Sequence, residues 1–261
     1  IIFLFLIIFI NFLILKYFYI FEKILPFYDM PNESRKNHKK PVPVLGGIWI
    51  SLNLLILLIY FNFFNKNFLN NFFFYSFRDQ LSFIFFFLLF LFLGLYDDVN
   101  NIKYKEKFFL LLIFSYLLFY SNEKIVIYSL RIILINQQYN FDLERYALFF
   151  SAFAFIILLI SLNMIDGINL NLGLFYLINL IFLFFLSKNI IFLYLIVPII
   201  FFLYLNYKSK VFLGDSGAFI ICLILMYFLA NYYNQGILFK TFDKLFILFL
   251  VPFTDCFRVI I

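Results

Sequence analysis

Charge is scarce in this chain. Asp, Glu, Lys and Arg make up 13% of its 261 residues, 66% are hydrophobic, and the mean hydropathy is +1.04. No soluble domain of that length could hide so much apolar surface. Histidine is almost missing. His38 stands alone, so it reads as a polar loop residue rather than a metal ligand, and the GDSG string at 214–217 has no histidine downstream to complete a serine-hydrolase triad. Cysteine is limited to Cys222 and Cys256, both inside apolar runs, so they read as small buried hydrophobes rather than as a disulfide or a metal pair. With only eight glycines, their positions become informative: Gly46, Gly47, Gly94, Gly167, Gly214 and Gly217 all fall in or beside the few polar segments. Glycine belongs where a backbone turns tightly or approaches a ligand closely.

What fills the chain instead is long apolar runs. Nine spans near bilayer length are predicted, at about 1–21, 43–62, 80–96, 107–121, 146–164, 170–187, 190–206, 216–231 and 244–261. The first lacks the cleavage pattern of a signal peptide and reads as a retained span. The 46 Phe residues read as compositional drift without a function of their own. Residues 122–145 include an alternating stretch too short for another spanning helix and read as a short surface hairpin. The expected fold is an all-α polytopic membrane protein, a single integral membrane domain over 1–261. One set of alternating loops carries eleven Lys or Arg, densest in ESRKNHKK at 33–40, and the opposite set carries eight. The positive-inside rule assigns the first set to the cytoplasm.

Five of the nine aspartates sit at span ends on that side: Asp97, Asp98, Asp166, Asp215 and Asp255. Ionisable groups at membrane depth or its edge mark functional sites by default. Carboxylates in that setting suit a divalent metal and a phosphate substrate. Each segment also has an ordinary reading. PNESRKNHKKPVPVLGG (31–47) is a basic loop attracted to anionic headgroups, yet its prolines stiffen it, its glycines permit close approach, and Lys39 and Lys40 can meet phosphate oxygens. Asp97 and Asp98 in GLYDDVNN can cap a helix, yet adjacent carboxylates repel unless a cation or proton lies between them. Lys103, Lys105 and Lys107 follow and can bind an anion. Asn163 and Asp166 in NMIDGIN are three residues apart and expected on one helical face, with Gly167 breaking the chain behind them. In FLGDSG, Asp215 and Ser216 suit an N-cap, while the same helix N-terminus offers backbone N–H groups to an anion. Asp255 and Arg258 have salt-bridge spacing.

Taken in order, these five segments resemble the polyprenyl-phosphate N-acetylhexosamine-1-phosphate transferase family over nearly the whole chain. The resemblance implies a membrane helical bundle with cytoplasmic active-site loops, in the bacterial inner membrane, with one span more than the nine visible. It implies transfer of a sugar 1-phosphate from a UDP-N-acetylhexosamine to a polyprenyl phosphate such as undecaprenyl phosphate, with release of UMP and with Mg²⁺, or Mn²⁺ in its place, as cofactor. That is the first membrane step of cell-wall or surface polysaccharide synthesis. Residue by residue, Asp97 and Asp98 match the catalytic pair, Asp215 the metal-binding aspartate and Phe212 the aromatic that contacts uracil. Asn163 and Asp166 match polar residues of the nucleotide site, and Lys40 and Lys107 resemble basic residues near the phosphates. Asn169 stands where the family usually has a second Asp, which costs a negative charge and keeps a hydrogen-bonding group. The family's histidine-rich loop and last span would follow PFTDCFRV, so a C-terminal truncation is expected. No nucleic-acid partner is expected, and a homodimer is compatible.

Three alternatives stand beside this. One is the phospho-MurNAc-pentapeptide transferase branch, although the short loop between Asp98 and Lys107 leans toward the simpler UDP-GlcNAc type. A secondary transporter would place ionisable groups near mid-membrane in repeated halves. An inactive scaffold paralogue is kept open by Asn169.

Overall fold

The computed structural model describes residues 2–30, 40–65, 68, 74, 76–134, 137–167, 169–236 and 239–260. Helices dominate, as they must where the solvent cannot satisfy backbone hydrogen bonds. In order they are α1 (Ile2–Lys16), α2 (Phe18–Ile24), α3 (Gly46–Phe64), α4 (Phe77–Asn100), α5 (Tyr104–Ser121), α6 (Ala147–Ile165), α7 (Asn171–Ser187), α8 (Ile191–Tyr207), α9 (Gly214–Gln235), α10 (Phe242–Leu248) and α11 (Leu250–Ile260). Four short strands accompany them: β1 (Tyr28–Asp29), β2 (Val42–Pro43), β3 (Ser129–Leu134) and β4 (Gln137–Asp142).

Among the described residues, α3, α4, α9 and α6 with its leading 3₁₀ turn are long and apolar enough to cross a membrane. The α1–α2 pair, bent by 75°, passes the same test only when taken together, as a broken span or a re-entrant loop. The chain is thus a largely helical, multi-pass membrane protein. The nine expected spans exceed these four or five: α7 and α8 are apolar but only 17 residues long, and three further spans differ in form. The first breaks at Tyr17, and the last is two short helices separated by Phe249. The helix α5 carries Lys105, Glu106 and Lys107 at its start, so its apolar part is shorter than its 18 residues. The hairpin expected within 122–145 is present: β3 and β4 pair antiparallel from Ser129↔Asp142 to Leu134↔Gln137.

One compact unit comprises residues 1–72, 91–101 and 166–220. In it α8 packs against α1, α3 and α7. A buried polar trio joins α1 to α3. Asn11 Nδ2 donates to Asn53 Oδ1 at 2.6 Å, and Trp49 Nε1 donates to Asn11 Oδ1 at 2.6 Å. Both asparagines also donate to the carbonyl four residues earlier, those of Ile7 and Trp49. Every polar side-chain atom of the trio is paired, which an apolar setting demands. The trio sets the register of α3, whose first residues, Gly46 and Gly47, border the site described below.

The other unit comprises residues 73–90, 102–165 and 221–261. There α6 packs against α5 and α11. Its core is aromatic: Phe83 meets Tyr227 edge-on at 4.9 Å, and Phe155 meets Phe90 at 5.5 Å and Phe119 at 6.1 Å. Edge-to-face pairs of this kind add to simple area burial. α9, which runs through both units, is buried along its whole apolar window.

Candidate active site

Pro41 and Pro43 keep the approach to α3 extended, because proline lacks an amide and disfavours helix in the residue before it. β2 pairs antiparallel with β1, and the Val44 N–H donates to the Phe27 carbonyl at 2.8 Å. This segment also meets the residues that precede α9. The Phe212 N–H donates to the Pro43 carbonyl at 2.9 Å. The N–H groups of Gly46 and Gly47 donate to the Phe212 and Leu213 carbonyls at 3.0 and 3.1 Å. Two motifs far apart in sequence, VPVLGG and FLGDSG, thus form one backbone-paired structure.

α4 continues through Asp97 and Asp98 and ends at Asn100. Asn101 stops it in the left-handed region (φ 51°), its N–H bonded to the Asp97 carbonyl at 2.9 Å, a conformation asparagine tolerates. Neighbours on a helix point in different directions. Asp97 is buried. Asp98 reaches the start of α9, where Oδ1 accepts the Asp215 N–H at 2.8 Å and Oδ2 accepts the Ser216 N–H at 3.2 Å. Gly94 permits this approach, since a Cβ there would lie 2.5 Å from the Ser216 nitrogen. Gly214 takes a left-handed φ of 75°, and a Cβ on it would lie 2.7 Å from Asp98 Oδ2.

α6 ends at Ile165, so Asp166 lies in the turn that follows and does not share a helical face with Asn163; Gly167 occupies the same turn. The Asp166 carboxylate lies near the Gly214 N–H, which favours its ionised form. Two successive amides at the start of α9, those of Asp215 and Ser216, are taken by Asp98, and Asp166 stands beside the amide before them. From the sequence those amides are open to a ligand anion. In the fold Asp166 and Asp98 lie closer, and first-turn amides have no intrahelical partner of their own. Burial, and then the charges of Asp215 and Asp98, push the Asp166 carboxyl well above the usual carboxylate range, against the pull of the Gly214 N–H.

Asn206, outside every motif, holds the turn from below. Its Oδ1 accepts the Leu170 N–H at 2.7 Å and its Nδ2 donates to the Val211 carbonyl at 2.8 Å. The one signal for it in the sequence is an amide at the end of the apolar run 191–205. Leu170 has a left-handed φ of 73°, and Asn169 Nδ2 donates to Ser209 Oγ at 2.9 Å.

Phe212 is half-buried and its backbone is engaged with Pro43 and Gly46. Lys40 is exposed in the same unit; His38, Lys39 and the rest of 31–39 lie outside the described residues. Lys107 and Asn163, both half-buried, belong to the other unit. Asp255 Oδ1 takes Arg258 Nε at 2.9 Å and Nη2 at 2.7 Å, the salt bridge its spacing allows. Among the described residues no three carboxylate, imidazole or thiol groups converge into a ready-made metal cluster. Mg²⁺ asks for less: one or two carboxylates, with waters and substrate phosphates completing its shell. Asp166 and Asp215, whose charges oppose each other, fit that demand.

The family model for glycosyl transferase family 4 matches residues 80–232, more than half of the chain. The chain belongs to glycosyl transferase family 4. No curated protein matches it significantly. The stretch shared with family 4 contains GLYDDVNN, NMIDGIN and FLGDSG, and so all three carboxylates gathered at the start of α9. Membership in family 4 makes the protein a membrane transferase of the polyprenyl-phosphate sugar-1-phosphate kind.

Proposed function

We propose that this family 4 member transfers N-acetylhexosamine 1-phosphate from a UDP-sugar to undecaprenyl phosphate and releases UMP. The reaction opens cell-wall or surface polysaccharide synthesis on the cytoplasmic face of the bacterial inner membrane. The observation that carries this reading is the convergence of Asp98, Asp166 and Asp215 on the N-terminus of α9, beside the VPVLGG segment.

An oxygen of the lipid phosphate attacks the phosphorus that bears the sugar. The bond from that phosphorus to the oxygen shared with UMP breaks, and UMP leaves with that oxygen. Asp215 and Asp166 would hold Mg²⁺, which would supply neutralisation of the charge on the leaving UMP. Asp98 acts through the α9 amides, so it is a positioning residue that holds Asp215. A lipid phosphate is already ionised at neutral pH, so placing it matters more than deprotonating it. Asp97, the residue before Asp98 on α4, would take part in that placement through a bridging proton or cation, since a bare carboxylate repels phosphate. Lys40 brings positive charge to the phosphates. Phe212 offers its ring to uracil, and Asn169 hydrogen-bonds the nucleotide. The lipid tail lies among the apolar helices, which explains why a reaction on a soluble nucleotide is done inside a membrane protein.

UMP release from UDP-GlcNAc, measured with and without undecaprenyl phosphate and Mg²⁺, tests this. Release that needs both and falls in Asp215→Ala is the expected result. Release from UDP-MurNAc-pentapeptide alone moves the protein to the pentapeptide branch. Silence with every UDP-sugar points to a scaffold, and solute uptake into vesicles to a transporter.

A further inference from the structure

The unit formed by residues 73–90, 102–165 and 221–261 carries an open pocket, walled by charged and polar residues, that the transfer reaction does not use. Its volume is about 570 Å³, and it lies beside the last turns of α9, the 3₁₀ turn Glu123–Ile125 and β3. That size suits a small ligand or a headgroup. Its walls include Glu123, Lys124, Arg131, Asn231, Asn234 and Gln235.

Arg131 is held rigidly at this cavity. Its guanidinium carbon sits 4.2 Å from the centre of the Tyr233 ring, and Nη2 donates to the Tyr233 carbonyl. The Tyr233 hydroxyl accepts the Arg131 backbone N–H at 2.9 Å and donates to the Ser129 carbonyl at 2.8 Å. An arginine beside the C-terminus of α9 offsets its exposed carbonyls, and that accounts for Nη2. It does not account for Nε, which is buried without a hydrogen-bond partner, on a group that has five N–H donors. The opposite wall is built as firmly. Asn234 Nδ2 donates to the carbonyls of Lys124 and Val126 at 2.7 and 2.8 Å, tying α9 to the 3₁₀ turn.

Charge narrows the ligand. Lys124 pairs with Asp79 at 3.0 Å. Among the described residues, that leaves one cation and one anion at the cavity without an ion-pair partner: Arg131 and Glu123. A simple anion would meet Glu123, and a simple cation would meet Arg131. A ligand bearing both signs satisfies the pair. The cavity also adjoins the end of the membrane-crossing helix α9, the depth at which headgroups lie, and the half-exposed Tyr128 on its rim has the amphipathic character of that zone.

We propose that this cavity binds the headgroup of a zwitterionic aminophospholipid. Arg131 receives the phosphate through its planar fork, and Glu123 receives the ammonium.

The test is native mass spectrometry of the full chain released from detergent with phosphatidylethanolamine or phosphatidylglycerol. The expected result is retention of phosphatidylethanolamine about tenfold above phosphatidylglycerol, the ratio one charge-assisted hydrogen bond confers. Both Arg131→Ala and Glu123→Gln should lower it to the phosphatidylglycerol level. Glu123 is exposed, so its variant keeps the test informative if Arg131→Ala fails to fold. Displacement of the lipid by free phosphoethanolamine would assign recognition to the headgroup alone. Retention against it would assign recognition to the anchored lipid, and either result upholds the proposal. Equal retention of the two lipids, or unchanged phosphatidylethanolamine in Glu123→Gln, overturns it.

Discussion

Asp98 on α4 and Asp215 on α9 meet through one contact, a carboxylate accepting a backbone amide at 2.8 Å. The second oxygen of Asp98 takes the next amide, that of Ser216. One side chain therefore caps the helix that presents Asp215, and a change at 98 is felt first as disorder at 215. Asp98→Asn keeps one acceptor and turns a donor toward an amide. Its expected cost is about 1–2 kcal/mol of stability, the range for a lost cap or charged hydrogen bond, together with weaker apparent Mg²⁺ affinity. Thermal melting with and without Mg²⁺ checks both. Unchanged melting with lost turnover would mean that Asp98 acts on substrate instead.

Gly94 makes a sharper case. A Cβ at 94 meets the Ser216 backbone, whereas one at Gly173 meets only side chains, chiefly that of Leu203. Backbone cannot swing away as a leucine tip can. Gly94→Ala should destabilise by about 1–3 kcal/mol, as overpacking does, and Gly173→Ala by less. Equal melting temperatures for the two variants would contradict the close crossing of α4 and α9.

The raised Asp166 carboxyl predicts a linkage to pH. Its protonated form is favoured by the fold, so the metal-free protein gains stability as pH falls through the raised value. Mg²⁺ works in the opposite sense, because it takes the ionised form and expels the proton. Binding should weaken as pH falls through that window, and it should release protons that Asp166→Asn does not. Calorimetry in two buffers of different ionisation heat counts them; identical apparent enthalpies would rule the linkage out.

The Asn11–Asn53–Trp49 trio predicts a purely structural effect. Asn53→Leu removes a partner from Asn11 and leaves the carboxylates alone. A loss of about 1 kcal/mol is expected, the scale of interhelical hydrogen bonds in membranes, with UMP release per folded molecule retained. A collapse of activity without a change in melting would assign the trio to the reaction.

Much of the candidate site is legible because charge at a span end is conspicuous in so apolar a chain. Asp97, Asp98, Asp166 and Asp215 announce themselves that way, and the β3–β4 hairpin announces itself by alternation. The pairing of Val44 with Phe212 does not, since backbone bonds between distant segments leave no period in either. Nor does spacing foretell that both oxygens of Asp98 turn inward to amides, because a carboxylate serves a helix end and a ligand equally well. The break at Tyr17 was hidden by apolar residues on both sides, which keep the hydropathy of one continuous span. Asn206 escaped because a single asparagine beside a lysine-rich loop looks like the loop's beginning.

α9 is buried along its apolar window, while α3, α4 and α6 bury about half of theirs. A helix without a lipid-facing side cannot be positioned by the bilayer. Until it docks, acyl chains must cover the surfaces it will later touch, so its arrival is an exchange of lipid for protein. The N-terminal turn that carries Asp215 belongs to the same helix, so on the proposed function the assembly of the candidate site is coupled to lipid displacement, with a rate open to the fluidity of the surrounding membrane.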